Sequence, residues 1–508
     1  MTFNHLVLIG GGHSNVSLLK KWLMFPKLMP EIPVSIISRD SHLVYSAMFP
    51  SVLSKSITLE ESLIDIKSLA TNAKVSFIEE EVKDIDFNLK KIVLSNRPSV
   101  NYSKLVLNYG SQTIIPKEFE SLVKNRNAFS IKPFLRAYDS ILKEDIFDSV
   151  NELPFVIVGS GLAAIEVSYA LRKRWRDRPL KLLCDSRKIN NTILKSLRNS
   201  NIDLVEKLNF DYGKILLCTG NTSPLWAQKK LLDSDSYGRI ITNQNLQIKS
   251  FSGIFAVGDC AVVGSAKRPA SGVFAVKVVN TLVQNLKKDI EGRSLKKWFP
   301  QKIGLQIVNI FPSHHPKAFA IYRNFVFGPS FLFWILKHKI DLNFINKFRS
   351  KRLIMKGSGK NISLNDCRGC AAKIPQSFLN KSLIKSNLDS FASSPEDSVE
   401  IYQNGKDIIL QSVDGFPALV SDPWLNAKIT TLHACSDLWA CGAKLSSAQA
   451  LISLPKVERE FQSYLFSQSL QGIKSTVEDH GGELLGGHTF EARSLVNKPY
   501  SLGIDISL

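Results

Sequence analysis

The chain opens on an uncharged apolar run, Leu6-Val7-Leu8-Ile9, that enters Gly10-Gly11-Gly12-His13-Ser14-Asn15 and then Val16-Ser17-Leu18-Leu19-Lys20-Lys21-Trp22-Leu23. A short apolar run bounded by glycine predicts a buried strand, and apolar positions recurring three and four residues apart predict a helix. The same succession returns about 150 residues later. Phe155-Val156-Ile157-Val158 runs into Gly159-Ser160-Gly161-Leu162-Ala163-Ala164-Ile165-Glu166. Further strand-like runs are Val34-Ser35-Ile36-Ile37-Ser38, Lys104-Leu105-Val106-Leu107, Leu180-Lys181-Leu182-Leu183, Lys214-Ile215-Leu216-Leu217 and Ile254-Phe255-Ala256-Val257. Strands alternating with helical stretches predict parallel α/β units.

Strand, tight glycine turn and helix N-terminus form a ready-made pyrophosphate site, because backbone N–H groups and the helix dipole both face the anion. In the first turn Gly10 and Gly12 fit the G-x-G-x-x-G spacing, Asn15 stands in place of the third glycine, and Ser38 stands where the second strand would end in a ribose-binding acid. The second turn is closer to the pattern. Gly159 and Gly161 are followed by Ala164, and Asp185 ends the next strand, with Arg187 and Lys188 leaving a 2′-phosphate open. A later strand ends in Gly258-Asp259.

This ordered set resembles the flavoproteins with two dinucleotide-binding domains, the pyridine nucleotide–disulfide oxidoreductase-like group that includes type II NADH dehydrogenases. The resemblance implies two Rossmann-like domains. An FAD domain comes in two segments, residues 1–112 and 245–300, with an NAD(P)H domain at 113–244 inserted between them and a flavoprotein C-terminal region at 301–350. It implies that Gly10, Gly12 and Asp259 touch FAD, and that Gly159, Gly161, Glu166 and Asp185 serve NAD(P)H. A helix over 268–290 would present its N-terminus to the flavin. No Cys-x2-Cys or Cys-x4-Cys occurs in the first 350 residues, so electrons are expected to go to a small-molecule acceptor without a redox-active disulfide. Residues 331–341 mix bulky apolar and basic side chains; a helix packed on the flavin domain or on the C-terminal unit is expected, with peripheral membrane contact as the alternative.

Charge divides the chain. Residues 357–508 carry 13 Lys and Arg against 16 Asp and Glu, which leaves about +23 of the net +20 on the first 356 residues. Two units of different character, joined by a basic and then Gly-Ser-rich linker at 351–365, are expected. A basic first unit could meet phosphorylated cofactors or anionic surfaces, but no basic motif interleaved with aromatics points to nucleic acid. Seven scattered cysteines, no signal peptide and no apolar run long enough to span a bilayer predict a cytoplasmic protein with reduced thiols.

The second unit carries Cys367-Arg368-Gly369-Cys370-Ala371-Ala372-Lys373, Glu396-Asp397, Val413-Asp414, His433-Ala434-Cys435-Ser436-Asp437-Leu438 and Gly486-Gly487-His488-Thr489. A lysine near a thiol favours the thiolate and can hold phosphate. Single aspartates gathered from separate elements suit Mg²⁺ shared with nucleotide phosphates. The set resembles the N-terminal half of selenide, water dikinase, in the aminoimidazole ribonucleotide synthetase-like group, so an α+β domain is expected at 366–508. The resemblance implies selenide + ATP + water → selenophosphate + AMP + phosphate. Cys370 would handle selenium, Lys373 would bind phosphate, and Asp397 and Asp437 would ligate Mg²⁺. Asp414, Gly487 and His488 would lie near ATP. The family's second half does not follow in this sequence, so an incomplete domain is expected, with selenide a candidate partner and a homodimer the expected assembly. The reading is an FAD-dependent NAD(P)H oxidoreductase fused to a dikinase-like domain, the flavoprotein feeding reduced selenium or sulfur to its neighbour. The alternative is an NADH:quinone-type reductase with a dimerising tail.

Overall fold

The computed structural model describes residues 3–146, 153–228, 232–264, 272–301, 304–311, 315–323, 325–349, 374–389, 397–405, 407–492 and 503–507. Cys367, Cys370, Lys373 and the linker at 351–365 lie outside these described residues.

The first apolar run forms the strand Leu6–Ile9 at the centre of a five-stranded parallel sheet. Its neighbours in order are Ile254–Ala256, Lys104–Leu107, Leu6–Ile9, Val34–Ser38 and Ser76–Glu79. Every residue of Leu6–Ile9 is buried, as expected where helices or loops cover both faces of a parallel sheet, and this is why the sequence there shows no polar alternation. Helix α1, His13–Met24, lays Val16, Leu18, Leu19 and Trp22 onto that sheet. Each such side chain contributes about 1.5–3 kcal/mol on full burial.

The second glycine turn belongs to a second five-stranded parallel sheet, ordered Ala128–Ser130, Ile215–Leu217, Phe155–Val158, Leu180–Leu183 and Asp203–Val205. Helix α2, Leu162–Arg174, follows its glycine turn. In both sheets the strand before the glycine turn lies between its sequence successor and a later strand, so the strand order reverses beside the turn. Such a switch point opens a crevice at the carboxyl ends of the strands, where α/β sheets take ligands. The chain passes between the two units through a two-stranded antiparallel ribbon, Gln112–Thr113 against Asn221–Thr222. The strand Ile240–Thr242 already pairs with Ala261–Val263 of the first unit's second segment.

The strands Gln306–Ile310, Lys317–Tyr322 and Phe325–Ser330 form a three-stranded antiparallel sheet, and helix α3, Phe331–Arg349, packs back on it. The helix expected over 268–290 is described as two pieces, Gly272–Lys277 and Val279–Ile290. Its start lies outside the described residues.

The third unit has a four-stranded sheet ordered Val413–Pro417, Gly503–Ser507, Ser447–Pro455 and Glu483–Ala492. Helices α4, Pro423–Ala440, and α5, Arg459–Asp479, pack on each other and on that sheet. Ala427, Ala434, Ile473, Val477 and Ile506 are fully buried between them. The Gly486-Gly487 pair runs inside the strand Glu483–Ala492.

Candidate functional site

At the first switch point the backbone packs so closely that no side chain fits. A Cβ on Gly10, whose φ is +88°, would lie 2.8 Å from the Asn108 carbonyl carbon and the Tyr109 Cα. Gly12 caps helix α1. Asn15, the departure from the glycine fingerprint, is fully buried and supports the turn: its Nδ2 donates to Gly10 O at 2.8 Å and Ile9 O at 3.3 Å. Asn108 joins the two segments of this unit. Its Oδ1 accepts from Asn15 N at 3.2 Å and its Nδ2 donates to Val257 O at 2.9 Å. Ser38 does not offer a free hydroxyl for a ribose, because its Oγ donates to Asp40 O at 2.8 Å.

Asp259, in the short helical turn Gly258–Cys260, lies 3.5 Å from Lys132 Nζ, which also donates to Ser111 Oγ at 2.9 Å. His13 heads helix α1 with its Nε2 shut off from solvent and without a hydrogen-bond partner. Burial holds His13 below its ordinary imidazole range, while the nearby Asp259 carboxylate pulls it back up. A helix N-terminus, a buried unpaired ring nitrogen and a Lys–Asp pair at one switch point form a donor and acceptor set that fits a dinucleotide with a polar ring system.

At the second switch point Gly159, φ +144°, leaves no room for a Cβ beside the Cys218 carbonyl, whereas a Cβ on Gly161 would meet nothing within 4 Å. The first glycine is therefore required by the fold, and the second faces open space where a phosphate can approach. Asp185 ends the Leu180–Leu183 strand, but its carboxylate is engaged: it accepts from Arg187 N at 3.2 Å and Arg187 Nε at 2.9 Å, with Lys188 Nζ at 3.6 Å. The hydrogen bonds from Arg187 hold its pKa below the ordinary carboxylate value.

Glu166 does not face this turn freely. Its Oε1 accepts from Lys337 Nζ at 2.5 Å and from Asn309 N at 2.9 Å, which ties helix α2 to the C-terminal region. Four residues beyond Lys337 on α3, Asp341 Oδ1 accepts from Tyr45 OH at 3.0 Å. Burial pushes the Asp341 carboxyl up to about 6, with Lys337 opposing, and burial followed by the Asp341 charge raises Tyr45. Tyr45 stacks on Phe344 at 4.6 Å and lies 5.6 Å from the His13 ring, centroid to centroid. His13, Tyr45, Lys132, Lys337 and Asp341 were not singled out by motif. Lys337 and Asp341 share the i, i+4 face of a helix, a signal visible in sequence, but their partners come from residues 166 and 45. Cys184, Cys218 and Cys260 are free and buried, and burial pushes Cys218 and Cys260 up to about 12, which suits inert packing thiols.

In the third unit Asp414 Oδ2 lies 2.9 Å from His433 Nε2 of helix α4. Ser412 Oγ reaches Asp437 Oδ2 at 3.4 Å and donates to Asp397 O at 3.1 Å. Ser412 thus links the Asp397 backbone to the Asp437 carboxylate, and Asp414, two residues along, is held by His433. Gly487 pairs with Ala450, Ala450 with Ile506 and Ile506 with Asp414. Three strand spacings of about 4.8 Å put Gly487 and its neighbour His488 about 14 Å from Asp414, so the fold does not bring them to the aspartates. Among the described residues no three His, Cys, Asp or Glu side chains form a metal-holding group. Two carboxylates beside nucleotide phosphates still satisfy Mg²⁺, which keeps several waters.

Residues 4–207 match the family model described as pyridine nucleotide-disulphide oxidoreductase, and residues 396–507 match that of AIR synthase related protein, N-terminal domain. Ferroptosis suppressor protein 1 of Mus musculus is 22% identical over 335 residues, covering 58% of this chain and 83% of that protein. Selenide, water dikinase of Myxococcus xanthus (strain DK1622) is 33% identical over 132 residues, covering 25% of this chain and 37% of that protein. The chain therefore spans little more than a third of the dikinase's length. Among solved structures, the sulfide:quinone oxidoreductase from Aquifex aeolicus shares the fold with a TM-score of 0.54 at 17% identity, over 68% of this chain and 92% of that one. The chain therefore joins, in one polypeptide, a pyridine nucleotide-disulphide oxidoreductase domain to an AIR synthase related N-terminal domain.

Proposed function

We propose that residues 4–349 pass electrons from NAD(P)H through FAD to a small-molecule acceptor. FAD, when bound, supplies the hydride-accepting ring. The protein's part is to hold the two nucleotides and manage protons. The N-terminus of α1 would hold the FAD pyrophosphate, and Asp259 with Lys132 would hold polar groups of the same cofactor. The open side of Gly161 would admit the NAD(P)H phosphates. The observation that carries this reading is the pair of switch-point glycine turns, one in each of two sheets of like topology. Asp341 holds a proton at its carboxyl below about pH 6 and accepts a hydrogen bond from Tyr45 OH.

The acceptor reading follows the surface of α3. Phe325, Phe327, Phe331, Leu332, Leu336 and Ile340 are exposed together, which favours an apolar acceptor such as a quinone, or lipid contact, at this face. No helix among the described residues is long and apolar enough to cross a membrane. The names of the relatives also leave sulfide or selenium species as candidates.

For the third unit we propose ATP and Mg²⁺ at the cluster of Asp397, Asp414, His433 and Asp437, with Cys370 and Lys373 as the selenium- and phosphate-handling pair. A homodimer completes the reading. The hairpin Val399–Asn404 and Asp407–Gln411 exposes Val399, Ile401, Tyr402, Ile408 and Ile409, more apolar surface than a hairpin in water normally leaves bare.

The test is full-length protein purified with its flavin and assayed for NADH and NADPH oxidation with quinone, polysulfide and selenium acceptors in parallel. Turnover with one acceptor class and not the others identifies the acceptor. No flavin and no NAD(P)H oxidation with any acceptor would sink the proposal. AMP release that requires selenide, and is lost in Cys370→Ser, would show the dikinase half active in this chain alone; the expected result is none.

A further inference from the structure

The third unit is seated on the FAD-binding unit by side chains far from the linker in sequence. Arg97, in the turn between the strands Lys91–Leu94 and Val100–Asn101, pairs with Asp422; the two side chains are 2% and 3% exposed. Asp422 is also the N-cap of α4, accepting from Trp424 N at 3.1 Å. The Arg97 guanidinium lies 4.9 Å from the Trp424 ring centroid. Its Nη2 donates to Gln468 Oε1 of α5 at 3.1 Å, and Gln468 Nε2 donates back to Ser99 O at 3.1 Å. Beside this fork, Ser421 covers the edge strand of the parallel sheet. Its carbonyl accepts from Ser76 Oγ at 2.7 Å and its Oγ accepts from Phe77 N at 3.2 Å. An aromatic seam closes the contact, with His5 5.3 Å from Phe461 and 5.5 Å from Tyr464.

All of these groups lie at the start of their strands. His5 precedes Leu6–Ile9, Ser76 opens Ser76–Glu79, and Ser99 precedes Val100. Gly10 lies at the other end of the same central strand, five residues and about 16 Å from His5. Asp437 lies fifteen residues along α4 from Asp422, about 22 Å away from the contact. The two candidate sites therefore both lie away from the shared surface.

We propose that this end of the FAD-binding unit is a built docking surface for an AIR synthase-like N-terminal domain, able to hold that domain without the covalent link. Buried, mutually hydrogen-bonded charges, a capped sheet edge and an apolar seam are the marks of a permanent interface rather than a loose tether between domains. Arg97 acts as a positioning residue: through Asp422 it fixes the start of the helix that carries His433 and Asp437.

The test is the full chain with a site-specific protease sequence inserted after Gly359, cut under native conditions and analysed by size-exclusion chromatography and light scattering. The two fragments are expected to elute together at the mass of the uncut protein. In Arg97→Glu their association should weaken at least a hundredfold, as for loss of one partner of a buried pair, while flavin absorbance and NAD(P)H binding stay unchanged. Gln468→Leu, on the other side of the contact, should weaken it about tenfold and serves if the arginine variant does not fold. Fragments that separate in the wild-type protein would overturn the proposal, as would co-elution of both variants' fragments as tight as wild type.

Discussion

Replacing Asn15 by the glycine that a dinucleotide fingerprint would carry is expected to weaken this protein rather than restore it. Asn15 Nδ2 supports the carbonyls of Ile9 and Gly10 from a fully buried position. Ile9 O also accepts from Asn108 N at 2.8 Å, so it keeps a donor in the variant. Gly10 O loses the donor at 2.8 Å. An orphaned, partly buried carbonyl costs about 1–3 kcal/mol. The glycine adds a few tenths of a kcal/mol by loosening the first turn of α1, and the vacated volume adds more. The sum is roughly 2–3 kcal/mol, which for a unit of this size lowers the thermal midpoint by about 5–10 °C. The assay is thermal unfolding by circular dichroism, run beside release of flavin fluorescence. Asn15→Asp, which cannot donate and adds a charge, should fall further. A midpoint for Asn15→Gly equal to or above wild type would show that the asparagine does not hold the turn.

The two glycines of the second turn should separate by phenotype. Gly159→Ala should fail to accumulate as folded protein, whereas Gly161→Ala should fold normally and bind NAD(P)H at least tenfold more weakly in a titration. Lys337→Met strips Glu166 of its charged partner in a site where the two side chains are 9% and 13% exposed. The loss should be about 3 kcal/mol in chemical denaturation, and the double variant with Glu166→Gln should regain most of it. Asp341 has its folded pKa raised from 3.8 to about 6. Its contribution is present below pH 3.8 and lost as pH rises through 6, about 3 kcal/mol in all. Asp341→Asn should therefore be more stable than wild type at pH 8 and close to it at pH 4. His5 has the opposite sign, since burial lowers it from 6.5 to about 4. Its contribution is present above pH 6.5 and fades as pH falls toward 4, so acid should loosen the His5–Phe461 seam first, read as faster hydrogen exchange at the start of the Leu6–Ile9 strand.

Both glycine turns, the strands before them and the helices after them were legible in sequence because each is a local object. An unbroken apolar run must be buried on both faces, and a glycine with positive φ is needed wherever a strand turns into a helix against a neighbouring carbonyl. The change in charge near residue 357 likewise marked two units, because composition needs no fold to be read. What sequence could not carry was pairing at long range. Glu166 looked like a nucleotide ligand until the fold brought Lys337 against it, 171 positions along the chain. Gly487 and Asp414, neighbours in a list of motifs, lie at opposite edges of one sheet. Arg97 and Asp422, 325 positions apart, had no motif at all. Burial of a charge, and hence the choice between ligand and strut, depends on which distant side chain shares the same dry volume, and only the tertiary structure decides that.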